Sequence, residues 1–225
     1  MKRAILDELR AARAAARPVV LATWLDGSES RVLGTDGPEL AAEVADALRR
    51  DQAIVVPSAR GLVLLEPHNP PLRLVIIGAV HVAQPLAEMA RLAGFAVTIV
   101  DPRRAWATAE RFPGLALATA WPDVAIEALR LDTRSAVVAL THDPKLDDPG
   151  LLVALRSPAF YIGCLGSTKT HAARRDRLAA AGVAPSALDR LHGPVGLRIG
   201  ARSPAEIAVS ILAEIIATLR GASPA

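Results

Sequence analysis

The sequence predicts an α/β protein, with a small α/β unit followed by a larger domain built on a parallel sheet layered with helices. Three observations lead there. Hydrophobic residues make up 52% of the 225-residue chain but aromatics only 3%, so the core must be assembled from Ala, Val, Leu and Ile. Such side chains suit parallel strands buried on both faces. From residue 72 onward, short apolar runs alternate with stretches of helical spacing, the pattern of strand–helix–strand units. Several of those runs end in glycine or in a polar turn, where doubly wound sheets carry their ligand contacts. The length is enough to bury a full core and a second, smaller unit.

The elements follow in order. Residues 2–16 have helical spacing, with Ile5, Leu6 and Leu9 on one side. PVVLATWL (18–25) reads as a strand, DGSES (26–30) as a turn, and 38–50 as a helix with Pro38 in its first turn. QAIVVP (52–57) and GLVLLEP (61–67) read as a strand pair. HNPP (68–71) continues neither a helix nor a central strand, so the expected organisation is a first domain over 1–67, a linker at 68–71 and a second domain over 72–225. In the second domain, strands are expected at 72–78, 95–101, 135–141 and 159–166, with a short edge strand at 115–119. Helices are expected at 81–93, 146–156 and 168–181. Ser203, Pro204 and Glu206 form a capping-box signal for a last helix whose Ile207, Ile211 and Ile215 make one apolar stripe. The fold class expected is therefore α/β, a Rossmann-like parallel sheet domain preceded by a small α/β N-terminal domain.

Charge and cysteine content narrow the function classes. The 26 Lys and Arg against 23 Asp and Glu are dispersed, a weak electrostatic footprint for nucleic acid, and no aromatic is interleaved with a basic run. A single cysteine, Cys164, excludes an intramolecular disulfide and any CxxC site, and fits a reducing cytoplasm. The first apolar run is too short to span a membrane and poorly placed for a signal peptide, so a cytoplasmic protein is expected.

Three clusters carry candidate chemistry. In GAVHVA (78–83), Gly78 and Ala83 match the first and third positions of the dinucleotide fingerprint GxGxxG/A, while Val80 takes the second. His81 lies in the same turn, and Asp101 ends the next strand where a ribose-binding acid is expected. The alternative reading is close strand–helix packing at Gly78 and Ala83. Thr141, His142 and Asp143 form the second cluster, at another strand end; Asp143 or Asp147 there can equally be a helix cap. The third is GCLGSTK (163–169): Gly163, Cys164, Gly166, Ser167 and Lys169 precede a helix, whose amides and dipole make an anion cradle. Its bland counterpart is a glycine turn with Ser167 as N-cap. Arg174, Arg175 and Arg177 read as solvated cations at helical spacing. His81, His142 and Asp143 have no metal-site spacing, so no metal is expected. Cys164 and Ser167 lack a framing nucleophile motif, no catalytic residue is assigned, and a buried, inert Cys164 is the default. In a parallel sheet all three clusters share the carboxyl edge.

The stretches LVIIGAVHVAQPLAEMARLAGFAVTIVDPR, LTHDPKLDD, YIGCLGSTKTHAARRDRL and HGPVGLRIGARSPAEIAVSILAEI, in this order over about 72–220, resemble the XdhC/CoxF family. Those proteins are accessory factors for maturing xanthine dehydrogenase, carbon monoxide dehydrogenase and related molybdenum hydroxylases. The resemblance implies a chaperone-like factor, more cofactor handler than enzyme. It would bind the molybdenum cofactor (molybdopterin, a phosphorylated pyranopterin dithiolene) transiently and support its sulfuration by a cysteine desulfurase. It would then deliver the cofactor to the apo-form of a molybdenum hydroxylase. The three clusters are the cofactor-binding residues this implies, and the apolar last helix is a candidate homodimer surface.

Three departures from the family pattern stand out. Residues 1–71 contain no cysteine, where relatives carry a GGCxE-like motif. Arg198 stands where an acid is expected, and STKT (167–170) replaces a more arginine-rich stretch. The rival readings are an NAD(P)-dependent oxidoreductase and a structural or regulatory partner with an empty crevice. Val80 puts a branched side chain where a dinucleotide pyrophosphate needs glycine, so NAD(P) is disfavoured.

Overall fold

One antiparallel and one parallel sheet organise the computed structural model, which describes residues 2–27, 29–35, 37 and 39–222. The chain divides into two units, Met1–Pro70 and Pro71–Ala225.

The first unit runs α1 (Arg3–Ala14), β1 (Val19–Trp24), β2 (Ser30–Leu33), α2 (Ala41–Arg50), β3 (Ile54–Ser58) and β4 (Gly61–His68). Its sheet has the order β2-β1-β4-β3, every pair antiparallel. Strand alternation places Val20, Ala22 and Trp24 on one face with Val63 and Leu65, and α2 covers that face with Val44, Ala47 and Leu48. Pro57 is accommodated because β3 is an edge strand. The strand pair expected at 52–67 is the β3–β4 hairpin, whereas β2 has no counterpart in the sequence reading. The helix expected at 38–50 begins at Ala41; Pro38, and Ser28 of the expected turn, lie outside the described residues.

The second unit runs β5 (Leu72–Ile77), α3 (Ala83–Leu92), β6 (Phe95–Val100), β7 (Ala116–Ala118), α4 (Pro122–Leu129), β8 (Ser135–Ala139), α5 (Pro144–Arg156), β9 (Tyr161–Cys164), α6 (Thr168–Ala180), α7 (Pro185–Leu188), β10 (Leu191–His192) and α8 (Pro204–Arg220). All its strands are parallel, in the order β10-β9-β8-β5-β6-β7. The two faces of β5 bury different cores. Leu74 and Ile76 pack with Leu86 of α3 and with Ile211 and Ile215 of α8, while Val75 and Ile77 pack with Ile126 of α4 and Leu151 of α5. Continuous apolar runs are required on strands buried this way. The expected edge strand is β7; α4, α7 and β10 were not anticipated.

Register positions the site. Ile77 lies level with Val100 on β6 and Ala139 on β8, and Ala139 lies level with Cys164 on β9. The strands therefore release Asp101, Gly78, Leu140 and Leu165 in one row. The chain leaves β5 for β6 and β7 on one side, then returns to β8 on the other, so the switch point lies between β5 and β8.

Helix α8 starts as its sequence signal predicts. Ser203 Oγ accepts from Glu206 N (3.2 Å), and the Glu206 carboxylate accepts from Ser203 N (3.0 Å) and Arg202 N (2.7 Å). Ser203→Ala should cost about 1 kcal/mol, as for other caps. In urea unfolding the midpoint is expected to fall with the slope unchanged.

Candidate functional site

At the end of β5 the backbone turns through Gly78, whose φ of +104° belongs to the left-handed region. A Cβ there would also collide with the Thr141 side chain, so glycine is needed because the end of β8 crowds it. This brings the first and second predicted clusters into contact. Next to it, Ala79 N donates to Asp101 Oδ2 (2.8 Å). Asp101 also accepts from Arg103, from N and Nε at 2.9 Å each and from Nη2 at 2.7 Å. Burial alone would push the Asp101 carboxyl up, but these bonds outweigh it and hold its pKa below the usual value. The predicted ribose-binding acid is thus turned onto its own loop and the glycine turn, with its acceptor positions engaged. Val80 is half-buried and packs against the core, whereas His81 is exposed.

The second turn is built around Asp147. Thr141 Oγ1 donates to Asp147 Oδ1 (2.7 Å) and accepts from Asp143 N (3.0 Å); Asp143 caps α5 by accepting from Lys145 N (2.9 Å). His142 is exposed, at φ +61°. The other oxygen of Asp147 pairs with Arg174 Nη2 (3.3 Å), which also donates to Leu165 O (3.2 Å). Both side chains are buried, Arg174 being 2% exposed and Asp147 1%. Desolvation raises the Asp147 pKa in spite of Thr141 and Arg174.

The expectation of solvated arginines is therefore wrong for Arg174. Packing of α6 against α5 and α7 also engages its neighbours: Arg177 pairs with Asp148 (2.6 Å), and Arg175 bonds Leu188 O (2.7 Å) and Asp189 (2.8 Å). Helical spacing on one helix cannot reveal carboxylates that arrive on another.

The third cluster divides. Gly163 is buried within β9 because Tyr161 and Val195 fill the space beside it; it is a packing glycine. Cys164 is buried, and desolvation pushes its thiol up to about 12, so it stays protonated at neutral pH. The turn expected to form the cradle is reduced to Gly166 (φ +145°) and the first turn of α6. Ser167 Oγ accepts from Thr170 N (3.1 Å) and Ser167 O from His171 N (2.9 Å). The amides of Thr168 and Lys169 remain without an acceptor among the described residues, as helix starts leave them. Lys169 is exposed beside them. Arg174 Nε and Nη1 and His171 Nδ1 are buried without a partner among the described residues.

Sequence reasoning used the loop 193–200 for the family resemblance and for Arg198 but assigned it no place beside the site. Val195 N donates to Cys164 O (3.1 Å), and Gly193 lies so close under His171 that it has no room for a Cβ. Glu214 of α8 holds this loop, accepting from Gly196 N (2.7 Å) and the Tyr161 hydroxyl and contacting His192 Nδ1 (3.3 Å). A second acid of α8, set within its apolar run beyond Glu206, was the signal available. Among the described residues, no cluster of His, Cys, Asp and Glu could hold a metal ion, and no helix is long and apolar enough to cross a membrane.

Comparison with known proteins places this edge in context. Residues 74–215 match the family model described as the XdhC Rossmann domain. The chain is 38% identical over 151 residues to a probable xanthine dehydrogenase subunit from Bacillus subtilis, covering 67% of this chain and 44% of that protein. It is 32% identical over 147 residues to the "Molybdenum cofactor insertion chaperone PaoD" of Escherichia coli, covering 65% and 40%. The matched region thus spans less than half the length of either relative. A crystal structure described as a xanthine dehydrogenase from Bacillus halodurans shares the fold, with a TM-score of 0.71 at 24% identity over 97% of this chain and 64% of that one.

The buried pair generates a test of how this edge is held. Arg174→Met leaves Asp147 buried without its cation and should cost about 3–5 kcal/mol in urea unfolding. Adding Asp147→Leu should recover much of that loss. Because the Asp147 pKa is raised on folding, its protonated form is favoured in the native state, so the Arg174→Met deficit should narrow as pH is lowered.

Proposed function

Since the chain belongs to the XdhC family, we propose that it binds the molybdenum cofactor as cargo and passes it to a molybdenum hydroxylase during maturation. The observation that carries this reading is the convergence of three turns at the β5/β8 switch point. Gly78 abuts Thr141, Thr141 bonds Asp147, and Asp147 pairs with Arg174 beneath the Gly166 turn. The names of two relatives, one a molybdenum cofactor insertion chaperone and the other a probable component of xanthine dehydrogenase, support the same role.

The residues suit a phosphorylated pterin. The unpartnered amides of Thr168 and Lys169, the Lys169 ammonium and the α6 dipole would hold its phosphate. Thr141, His142 and Asp143 would line the opposite side, with Gly78, Val80 and His81 beneath. The bound cargo supplies the molybdenum–dithiolene chemistry used later by the recipient enzyme. This chain's own contribution is to bind, orient and release it, and no catalytic group is assigned. The buried, protonated Cys164 is unsuited to carrying sulfur, so sulfuration of the bound cofactor by a cysteine desulfurase would not pass through it. We place this activity in the cytoplasm.

Purification from cells that make the cofactor, followed by oxidation and pterin fluorescence, tests the reading. Wild-type protein should retain pterin, and Lys169→Ala should weaken binding about tenfold or more with folding intact, since each charge-assisted bond to phosphate is worth about 1.5–3 kcal/mol. Protein devoid of pterin, prepared alongside a cofactor-loaded hydroxylase from the same cells, would refute it.

A further inference from the structure

We propose that the loop after β6 is the subsite for a planar heteroaromatic ring carrying negative charge, with Trp106 as the stacking surface and Arg103, Arg104 and Arg111 as its cations. It rests on the reading above only for the larger molecule to which that ring belongs.

Trp106 is 41% exposed, and its backbone is held from both sides. Its backbone N–H donates to Arg103 O (2.8 Å). Its carbonyl accepts from Arg111 Nη1 (2.7 Å), and the same nitrogen donates to Ala79 O (2.7 Å). One guanidinium therefore ties Trp106 to the glycine turn that opens the site. Arg103 is fixed by Asp101, and its guanidinium carbon stands 5.0 Å from the Trp106 ring centroid; that of Arg111 stands at 5.6 Å. Arg104 is exposed and has no partner among the described residues.

These features select a ligand class. An exposed indole whose backbone is fixed and whose ring is already steadied by two guanidiniums loses little entropy on stacking with a planar ring, and such stacking tolerates different rings. Asp101 offsets the charge of Arg103, but Arg104 and Arg111 have no carboxylate partner among the described residues and make the surroundings positive, which favours phosphate-bearing rings and repels cationic ones. Asp101 cannot chelate a ribose diol, because its oxygens are already engaged by Ala79 and Arg103. Two sources meet this description: a phosphorylated pterin and a nucleotide. Guanine and pterin share a 2-amino-4-oxopyrimidine edge, so one platform can receive either.

The test is equilibrium dialysis of the full chain with guanosine 5′-monophosphate, 6-hydroxymethylpterin phosphate and inorganic phosphate. Both ring-bearing probes should bind more tightly than phosphate, and the tighter of the two identifies the source. Trp106→Phe should stay within about twofold of wild type, whereas Trp106→Leu should lose about tenfold or more. Arg104→Ala should weaken binding about threefold, with a shallower dependence on salt. Circular dichroism monitors folding, and retention by Trp106→Phe excludes simple loss of structure. The proposal fails if neither ring binds wild type at millimolar concentration, if phosphate alone competes equally, or if Trp106→Leu binds like wild type. Pterin carried by the purified chain separates this outcome from the fate of the broader reading. Equal pterin in wild type and Trp106→Leu overturns the platform and leaves the maturation role standing. Trp106-dependent binding of the nucleotide by a wild type that carries no pterin does the reverse.

Discussion

The carboxyl edge of the parallel sheet depends on one buried carboxylate. Asp147 receives the Thr141 side chain through one oxygen and Arg174 through the other, so a turn after β8 and the helix after β9 are fastened at a single point. Arg174 then fixes Leu165, the first residue beyond β9. Burying an ion pair carries a desolvation cost that attraction only partly offsets. What the pair adds here is position: it determines where the Gly166 turn sits relative to Thr141, and hence where the free amides of α6 point.

Glycine has different uses along this edge. At Gly78 the left-handed backbone and the adjacent Thr141 both exclude a side chain, and the result is a close approach of two strand ends. At Gly163, deep in β9, the same absence of a side chain makes room for Tyr161 and Val195. In sequence the two look equivalent, each a glycine near the end of an apolar run. Only the register of neighbouring strands separates the glycine at the carboxyl edge from the one that serves the core.

That distinction describes how far the sequence could be read. The parallel sheet was legible because strands buried on both faces must be continuously apolar, and β5, β6, β8 and β9 are. The α8 start was legible because a capping box is entirely local. The shared edge of the candidate residues followed from topology, since Gly78, Thr141 and Ser167 all follow strands of one sheet. What could not be read was pairing between distant elements. Asp101 looked like a ligand-binding acid until Arg103 and Ala79 were seen to occupy it, and Arg174 looked solvated until Asp147 arrived from α5. The Glu214 clamp on the loop 193–200 joins residues from β9, β10 and α8, a union no spacing rule contains. Short elements such as β2, β10 and α7 escaped because two to four residues offer too little periodicity to register.

The lone cysteine has a different kind of consequence. Cys164 sits in an interior strand with no solvent exposure and a strongly suppressed thiolate. It is the thiolate that attacks alkylating reagents and peroxides, so in the native fold this sulfur is shielded twice, by access and by protonation. Modification must wait until β9 is pulled from the sheet, an event that dismantles the whole larger unit. The molecule thus carries its own opening counter: the pace at which a thiol reagent marks it measures how often the sheet comes apart, while in the folded chain this sulfur stays shielded.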